Sequence, residues 1–571
     1  MTESVEKLLE QRKSLFEELA KAGNFRRGTI SINYRKCGKK NCVCTKKGHP
    51  GHGPQFLWST TIKGKSYTKQ LKVGPELQKY IEENDNYRTF QRLCNEIITA
   101  SEKLSDLTPL PEVGVGDDTE LEEFKKKLTK ALCGEIQEEV DRIVTMVGKE
   151  GRIDMESLEM CIRSSMHSIG GLMLETLLNS DNSGYKGKSI PCDSGHTYEF
   201  LEYREKEVMT VLGKVDVTRA YYYDRCCGSG MCPKDKDLDI ECTSFSPGVR
   251  RIMARVGTYR AFGLGHEDIK EMAGLDITAK EIERTCNRIG GQAEEFFDKQ
   301  ASEALSEKII QIKSVPKMYV CMDGTGVPMV KKDLLGRQGK AEDGQAKTRE
   351  AKLGCVFTQT GLDEKGRPVR DEGSTSYVGA IETAEDFGKR IYAEAKRRGV
   401  DRAKEVAVLG DGASWIWNIA DEAFPGAIQI IDLYHAREHY WNAGRAALDH
   451  NKKKLRKWAD RRRKELDNGQ VEKVIEAIRQ LSPSSECYRA ICEKTINYFE
   501  KNKERMRYNV FRRRGFFVGS GVLEAGCRSV IGQRLKQSGM HWSVEGANHI
   551  ISLRCCFFSN RWEDFWEYRA A

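Results

Sequence analysis

The chain has 571 residues and a net charge of +9, with 39% hydrophobic and 31% charged residues. This length predicts about three to five domains rather than one, and the hydrophobic content suffices for packed cores, which excludes a chain that is disordered throughout. No apolar run approaches the roughly 18 residues that a membrane span needs, and the N-terminus lacks the apolar core of a secretion signal, so we expect a cytoplasmic protein.

The N-terminal half of the sequence alternates between helical and strand-like segments. Leu8, Leu15 and Leu19 lie on or near one stripe of the first segment, which predicts an amphipathic helix. Glycines and alternating apolar residues predict short strands in two later segments. The predicted order is a helix at 1–28, a β module at 29–80, a helical region at 81–184, a second β module at 185–245 and a helix-turn-helix at 246–312.

The stretch "HEDIKEMAGLDITAKEIERTCNRIG" predicts the helix-turn-helix. Ile269 and Met272 are expected to face its core, Gly274 to form the turn, and Thr278 with Glu281 to form a capping box for the second helix. Helical hairpins also occur in proteins that do not bind DNA, so a purely structural role is the alternative. If the motif binds DNA, its contacts are expected from Lys280, Arg284 and Arg288.

Two aspartates stand out in residues 313–445, where strands alternate with helices as in an α/β core. Asp323 follows "VCM" and Asp411 follows "VLG", each at the predicted end of a buried strand and directly before a glycine. Two carboxylates brought together at strand ends repel each other unless a cation lies between them, and a hard divalent ion fits oxygen ligands. Alternatively, each aspartate caps only the turn that follows it.

A third acid is expected from residues 515–571, which complete the core after a polar helical insertion at 446–514. Glu524 lies in the first turns of a helix that follows the flexible "GSG", and Glu545 is the rival candidate. Further along the same stretch, Arg534 and Lys536 are candidate phosphate ligands, and Trp542 is a candidate for stacking on an unpaired base.

The insertion contains the densest basic run of the chain, "KKKLRKWADRRRK". We expect this run to bind the DNA backbone without sequence preference, through Arg461, Arg462 and Arg463, and not to take part in catalysis. A solvated helix face without a partner is the alternative.

Four motifs in order carry a resemblance to a known family: "MDGTGVPMV", "LGDGASWIWN", "IIDLYHAREHYW" and "GSGVLEAGCRSVIGQRLKQSGMHWS". The sequence resembles prokaryotic insertion-sequence DDE transposases of the Kra group, most strongly over 317–571 and more weakly over 185–312. The resemblance implies an RNase H-like core in which Asp323, Asp411 and Glu524 hold two Mg²⁺ ions. Asp432 and His435 match the Asp-x-x-His motif of Mutator-like transposases, so His435 is a further catalytic candidate, with a structural role as the alternative.

Two groups of cysteines and histidines are candidate zinc sites. In "YRKCGKKNCVCTKKGHPGHGPQ", three thiols and a histidine can complete a tetrahedral site, and a resemblance to an N-terminal module of some transposases favours His52 over His49. The first candidate set is Cys37, Cys42, Cys44 and His52. The resembled family implies a zinc ribbon in the second β module, with Cys192, His196, Cys227 and Cys232, although Cys226 is an alternative to Cys227.

The predicted fold class is a multidomain α+β chain, with an RNase H-like core, a helical insertion, and preceding zinc-binding and DNA-binding segments. The predicted function is that of a transposase that binds insertion-sequence ends and acts on double-stranded donor and target DNA. Because transposition pairs two ends of the element, we expect a homodimer or a higher oligomer. We expect it to be associated with the nucleoid. The alternatives are a nuclease with the same fold but no strand transfer, and a domesticated DNA-binding regulator.

Overall fold

The computed structural model describes residues 2–570 apart from 22, 39–41, 47, 48, 50, 63, 64, 108–117, 151–153, 182, 193, 194, 227, 307–314, 340–345, 450, 483 and 484. The chain forms two compact units, Met1–Lys127 and Leu128–Ala571, and helix α3 (Asp118–Glu150) contains the junction between them. Among the described residues, no helix combines the length and the apolar character that crossing a bilayer requires.

The first unit is a small antiparallel sheet flanked by two helices. Its strands lie in the order β1-β2-β3, and Leu71, Leu77 and Tyr80 form a small core with the sheet. The Asn84 side chain donates to the carbonyls of Arg26 and Gly28, which fixes the entry into the first strand. The elements are α1 (Thr2–Ala20), β1 (Thr29–Arg35), β2 (His52–Ile62), β3 (Lys65–Leu71) and α2 (Pro75–Leu107).

After the C-terminal part of α3, the second unit continues with a long helix, α4, packed on a four-stranded antiparallel sheet of order β4-β5-β6-β7. Val208, Val215, Val217 and Ile240 form the core of this sheet. The elements are α4 (Met155–Leu178), β4 (Ser189–Pro191), β5 (Thr197–Thr210), β6 (Gly213–Asp224), β7 (Ser229–Met231) and α5 (Pro233–Asp237).

Three helices follow: α6 (Pro247–Tyr259), α7 (Phe262–Ala273) and α8 (Ala279–Leu305). The last two form the predicted helical hairpin. Gly274 takes a left-handed conformation at the end of α7, with φ +68°. Thr278 and Glu281 form both hydrogen bonds of the expected capping box at the start of α8. Ile269 is buried, but Met272 is 69% exposed, so its assignment to the core was wrong.

The central sheet of the second unit has five strands in the order β12-β9-β8-β13-β14. Strands β8, β9 and β12 pair antiparallel, whereas β13 and β14 run parallel to β8. The strands are β8 (Lys317–Pro328), β9 (Thr348–Gln359), β12 (Ser376–Ala380), β13 (Glu405–Gly410) and β14 (Ile428–Ile431), with a small β10 (Gly361–Leu362) and β11 (Pro368–Val369) hairpin between β9 and β12.

Helices cover both faces of the central sheet. On one face, α9 (Ala384–Arg397) approaches Gly354 so closely that a Cβ there would lie 2.6 Å from Ile391 Cδ1. On this face too, Ile416 of α10 (Ser414–Ala423) approaches Gly410. The opposite face, towards which Tyr377 points, is covered by the C-terminal helices. Because strand residues alternate between faces, this arrangement decides which side chains meet those helices.

A helical insertion and the C-terminal helices complete the second unit. Between Cys527 and Gly532 the helix that begins at Gly521 is π-helical, and two of its carbonyls, those of Ser529 and Val530, accept hydrogen bonds from the buried Arg554 guanidinium. The helices are α11 (Leu433–Leu448), α12 (Lys452–Asp467), α13 (Val471–Arg479), α14 (Glu486–Asn502), α15 (Tyr508–Arg513), α16 (Gly521–Gly526), α17 (Gln533–Leu535), α18 (Val544–Phe558) and α19 (Trp562–Ala570).

Candidate active site

Asp323 and Asp411 occupy equivalent positions on two neighbouring strands. Leu409 pairs with Cys321 in the parallel β8–β13 ladder, so each aspartate follows its paired residue by two positions. Gly410 faces α10, so the alternation of side chains turns Asp411 to the opposite face, and Asp323 pairs with Leu353 on that same face. The sheet therefore presents both carboxylates side by side, towards the C-terminal helices.

One expectation about Asp323 was wrong: it does not end its strand. Strand β8 continues to Pro328, because its antiparallel pairing with β9 extends beyond its parallel pairing with β13. The following Gly324 gives room to a neighbouring side chain, since a Cβ there would lie 2.5 Å from Glu350 Oε1. Asp411 does lie just beyond its strand, where its Oδ1 accepts from the Ala413 N–H at 2.9 Å.

Glu524 reaches the same face from α16. The helix places Glu524 and Cys527 three residues apart, hence on one side, and Cys527 Sγ lies 3.4 Å from Asp323 Oδ2. Glu524 itself is exposed, so solvent and ligands reach its carboxylate. Three acids from a central strand, a strand end and a late helix thus face a common region.

Asp432 connects the helix of Glu524 to the sheet. Its backbone N–H bonds to the Gly410 carbonyl, which places it next to Asp411. One carboxylate oxygen accepts from the His435 N–H at 2.7 Å, as an N-cap does, and the other accepts from the Ser520 N–H. Asp432 is 2% exposed, and its carboxylate holds the segment that leads into α16. The Asp-x-x-His spacing is that of a helix start capped by its aspartate.

The electrostatics agree with a shared site. Burial raises the pKa of Asp323 above its ordinary value, and the nearby charge of Asp411 adds to the rise. Desolvation also raises the pKa of Glu524, with further contributions from the charges of Asp432 and Asp323. In the described part of the chain, no lysine or arginine side chain forms an ion pair with Asp323, Asp411 or Glu524. The described lysines and arginines therefore leave the negative charge of these three acids unpaired, and His435 is the cationic group that acts on Asp323 and Glu524.

Oxygen donors with excess negative charge suit hard divalent cations such as Mg²⁺. The three carboxylates do not, however, form a group in which every ligand atom lies within 4.8 Å of every other; among the described residues only the cysteine cluster below does so. Among the described residues, these carboxylates therefore form no closed cage around a single ion. The convergence of the triad on shared ions stays a prediction.

His435 lies in an aromatic row beside the acids. Its ring contacts that of His439 at 5.7 Å between centroids, and His439 stacks on Tyr498 at 3.8 Å. Burial lowers the pKa of His439, and the charge of His435 contributes. His435 is half-buried, and its charge lowers the pKa values of Asp323 and Glu524. A catalytic role for His435 remains a prediction.

The first group of cysteines forms a cluster that could hold a metal ion. Its ligand atoms all lie within 4.8 Å of one another, and they belong to Cys37, Cys42, Cys44 and His52. Arg35 pairs with His52 across β1 and β2, so the connection between these strands folds back on His52. Cys42 Sγ lies 2.9 Å from His52 Nε2, and Cys44 is fully buried. His49 takes no part, since its Nδ1 accepts from the Gly51 N–H.

The second group of cysteines is not assembled in this way within the described residues. Cys192 and Cys232 are buried, and His196 Nδ1 lies 3.7 Å from Asp224 Oδ2, but these residues do not form a group of three ligand atoms within 4.8 Å. Cys227, the fourth predicted ligand, lies outside the described residues. Zinc binding at this group stays a prediction.

The residues predicted to bind DNA fall into exposed and buried sets. Lys280, Arg284 and Arg288 are exposed on α8, where Lys280 pairs with Glu283 and Arg288 donates to the Glu241 carbonyl. On α12, Arg461 and Arg463 are also exposed, with Glu465 and Asp460 as their partners. Lys536 is exposed and donates to Thr325 Oγ1, two residues beyond Asp323.

Three of these residues are buried and fill structural roles, so we no longer expect them to contact DNA. Arg462 is 5% exposed and forms a two-bond pair with Glu465, at 2.6 and 2.8 Å. Arg534 is fully buried, donates to the Gly257 carbonyl and stacks on Phe262 and Trp542. Trp542 is also buried, and its indole N–H donates to the Leu535 carbonyl.

Sequence reasoning missed two side chains near the acids. Cys527 touches Asp323, and its position three residues after Glu524 was a usable signal, since it puts both on one helix face. Tyr498 donates from Oη to the Asp411 carbonyl at 2.8 Å. It lies in the helical insertion, 87 residues away along the chain, and no local pattern marks it.

Two family models match the sequence. The model described as a domain of unknown function (DUF6788) matches residues 5–79, which include the Cys37–His52 cluster. The model described as an uncharacterised protein family (UPF0236) matches residues 150–563, which include Asp323, Asp411 and Glu524. The comparison with curated proteins finds no match.

Proposed function

The chain belongs to the uncharacterised protein family UPF0236, and from the acidic site within its matched region we propose that it is a DNA transposase of the DDE type. It would bind the ends of an insertion sequence, cleave DNA strands and join them to a target. The observation that carries this proposal is that Asp323 and Asp411 lie on one face of the central sheet, that Glu524 reaches this face from α16, and that none of the three forms an ion pair with a lysine or arginine of the described residues.

The order of elements around the acids supports the proposal. A strand with Asp323 heads a three-stranded antiparallel run, a parallel strand leads to Asp411, a helical insertion follows, and a helix carries Glu524. This is the order on which the resemblance to DDE transposases with an RNase H-like core rests.

Asp323, Asp411 and Glu524 would hold two Mg²⁺ ions. Such ions, when bound, supply activation of an attacking hydroxyl and stabilisation of the leaving oxygen in phosphoryl transfer. The protein's own residues set the geometry: the β8–β13 register fixes the two aspartates, and Asp432 fixes the segment that leads to Glu524. Lys536, beside Thr325 on the same strand as Asp323, is placed to bind a phosphate of the DNA that enters.

The helical insertion would bind the DNA backbone through one face of α12. Leu455, Ala459 and Leu466 bury the other face, so the helix is anchored to the protein and its cations point outwards. In the described part of the insertion, six of these exposed cations have no acidic partner: Lys452, Lys453, Lys454, Arg456, Lys457 and Lys464. Such a face binds phosphates regardless of sequence, with an affinity that falls as salt rises.

The Cys₃His cluster would hold a structural Zn²⁺. Three thiolates and an imidazole form a complete tetrahedral set for this ion, with Zn–S distances of about 2.3 Å. With no ligand position left open, the metal would stabilise the first β module rather than take part in catalysis. Because transposition pairs two DNA ends, we propose that the active form contains at least two copies of the chain.

The test is an assay with a donor DNA that carries candidate element ends and a separate target plasmid, with Mg²⁺. Wild type is expected to cleave the donor and join it to the target, and Asp323→Asn is expected to bind the donor but to do neither. Cleavage without joining would support the nuclease alternative. DNA binding that is equal in the two proteins, with no cleavage by either, would support a DNA-binding regulator and overturn the proposal.

A further inference from the structure

We propose that Tyr498 is a positioning residue for the metal site, through which the helical insertion sets the conformation of the Asp411 turn. This inference rests on the proposed function, because it concerns how Asp411 is held for cation binding. It assigns to the insertion a task in the active site besides binding DNA.

Tyr498 contacts the Asp411 turn in two ways. Its Oη donates to the Asp411 carbonyl at 2.8 Å. Its ring covers Gly412, where a Cβ would lie 2.5 Å from Tyr498 Cε2. Gly412 has a φ of +108°, a conformation that side-chain-bearing residues rarely adopt, so the turn requires glycine both for its backbone and for the ring. The turn is thus shaped around this tyrosine.

The Tyr498 ring is also held on the side away from the Asp411 turn. The ring also stacks on His439, with 20° between the ring planes, and His439 in turn meets His435. The tyrosine is therefore enclosed between the Asp411 turn on one side and α11 on the other.

The part of α14 that carries Tyr498 is firmly attached to the core. Phe499 is fully buried, and the buried Asn502 side chain donates to the Tyr498 carbonyl at 2.9 Å. Arg505, just after the helix, donates to Gln429 of β14 at 2.6 Å and lies over the Trp417 ring of α10. Tyr498 is thus held from both the central sheet and α10, and can hold Asp411 in turn.

A carboxylate binds a cation tightly only if its orientation is fixed beforehand, and partners outside the ligand shell are typically worth about 10–100-fold in metal affinity. Among the described residues, the Asp411 carboxylate has few other restraints, since its Oδ1 accepts from the Ala413 N–H within its own turn. We therefore expect loss of the Tyr498 hydroxyl to weaken cation binding and to leave the chemical step at saturating metal nearly unchanged.

The experiment measures Mn²⁺ binding to the full chain by electron paramagnetic resonance, alongside the metal dependence of cleavage. Tyr498→Phe removes only Oη and keeps the ring on Gly412 and His439. Tyr488→Phe is the matched control, because it removes a hydroxyl from the same helix at an exposed position. Asp411→Asn defines the signal from the metal site.

We expect Tyr498→Phe to weaken Mn²⁺ binding about tenfold, with an unchanged melting temperature and with a cleavage rate that recovers at high metal concentration. Tyr488→Phe should match wild type. Gly412→Ala, which displaces the ring, should weaken binding too, and its effect should not add to that of Tyr498→Phe.

Two failures are distinguishable. If Tyr498→Phe binds Mn²⁺ as wild type does while Asp411→Asn does not, the positioning role is overturned and the proposed function stands. If wild type shows no Mn²⁺ binding that depends on Asp411, the metal site itself is refuted, and the proposed function with it.

Discussion

The two candidate ligand clusters of this protein differ in how the chain assembles them. Cys37, Cys42, Cys44 and His52 come from one connection between two paired strands and lie within 4.8 Å of one another. Asp323, Asp411 and Glu524 span 202 positions of sequence and come from three separate elements. They share a sheet face, but they do not close around a single point.

The difference teaches what each arrangement is suited to do. A complete, locally assembled set of four ligands leaves a metal no free position, so its binding energy is available for folding. An open set of acids, assembled by the whole fold, places like charges near one another without closing around a single point, and such charges repel each other unless a cation lies between them. Variants in the two clusters should therefore fail in different ways.

The largest effect is expected in the cysteine cluster. Cys44→Ser removes a buried ligand, and since structural zinc is worth about 10–16 kcal/mol in small zinc modules, the variant should lose its metal and the order of residues 29–71. Metal analysis and limited proteolysis of the full chain measure both. Cys94→Ser, on α2 outside the cluster, is the control and should retain the metal. If Cys44→Ser retained its metal, the cysteine cluster would not be the complete structural metal site that distinguishes it from the acids.

The next effect concerns activity without loss of fold. Glu524→Gln should lower the rate of strand cleavage by about 10³-fold, the order of losing one preorganised charge-stabilising group, with an unchanged melting temperature. Glu545→Gln is the matched control, since Glu545 is also exposed in the first turn of a helix in the same region. Equal activity of the two variants would mean that the third acid is not Glu524.

A smaller effect is expected from the basic face of α12. This helix contains no residue of either cluster, so its variants test DNA binding separately from both. Replacing Arg456, Lys457 and Lys464 by alanine should weaken binding to all duplexes alike, and reduce the slope of log affinity against log salt by up to about 0.9 per lost contact. Fluorescence anisotropy over a salt series measures this. Arg462 is left intact because its buried pair with Glu465 supports the helix. An unchanged slope would show that this charge is only a solvated surface.

The smallest effect tests the cost of ionising Asp323, which arises mainly from burial and to a lesser extent from the charge of Asp411. The folded pKa of Asp323 is raised, so its ionisation destabilises the fold: the stability it contributes is present below its ordinary pKa of 3.8 and lost as pH rises through the folded value. In metal-free protein at neutral pH, Asp323→Asn should therefore raise the melting temperature, by about 2 °C if this cost of ionisation is roughly 1 kcal/mol.

The control for this prediction has the opposite sign. Backbone and side-chain hydrogen bonds from Arg367 lower the pKa of Asp363, so its ionisation stabilises the fold. Asp363→Asn should lower the melting temperature at neutral pH and have less effect in acid. Calorimetry over a pH series separates the cases, and a fall in melting temperature for Asp323→Asn would show that its carboxylate is already neutralised within the protein.

Features that depend on neighbours in sequence could be predicted well. The capping box of Thr278 and Glu281 requires only a three-residue spacing, and the sequence shows it directly. The helix stop at Gly274, the β modules and the helical insertion follow from the same local patterns of turn residues and periodicity. The choice of Asp323, Asp411 and Glu524 depended on strand and helix positions and on family resemblance.

Features that depend on distant partners could not be predicted. Strand β8 continues past Asp323 because β9 pairs with it, which a single strand does not reveal. Arg534 looked like a phosphate ligand until its packing against Phe262, from a helix about 270 positions earlier in the sequence, buried it. Met272 has the periodicity of a core residue, but the structure has no neighbour there to cover it among the described residues.

The π-helical stretch divides one continuous helix into two parts with separate orientations. A turn with i→i+5 bonding takes up one residue more than an α-turn, so side chains after it are rotated relative to those of an uninterrupted α-helix. Glu524 before it and Cys527 at its first position lie towards Asp323, while Arg534 after it faces Gly257 of α6. Arg554 donates to the carbonyls of Ser529, Val530 and, in α6, Thr258. A single-residue deletion in 527–532 would restore α-helical phase and turn one half of the helix away from its partner, so the length of this stretch is as strictly constrained as the identity of the acid that precedes it.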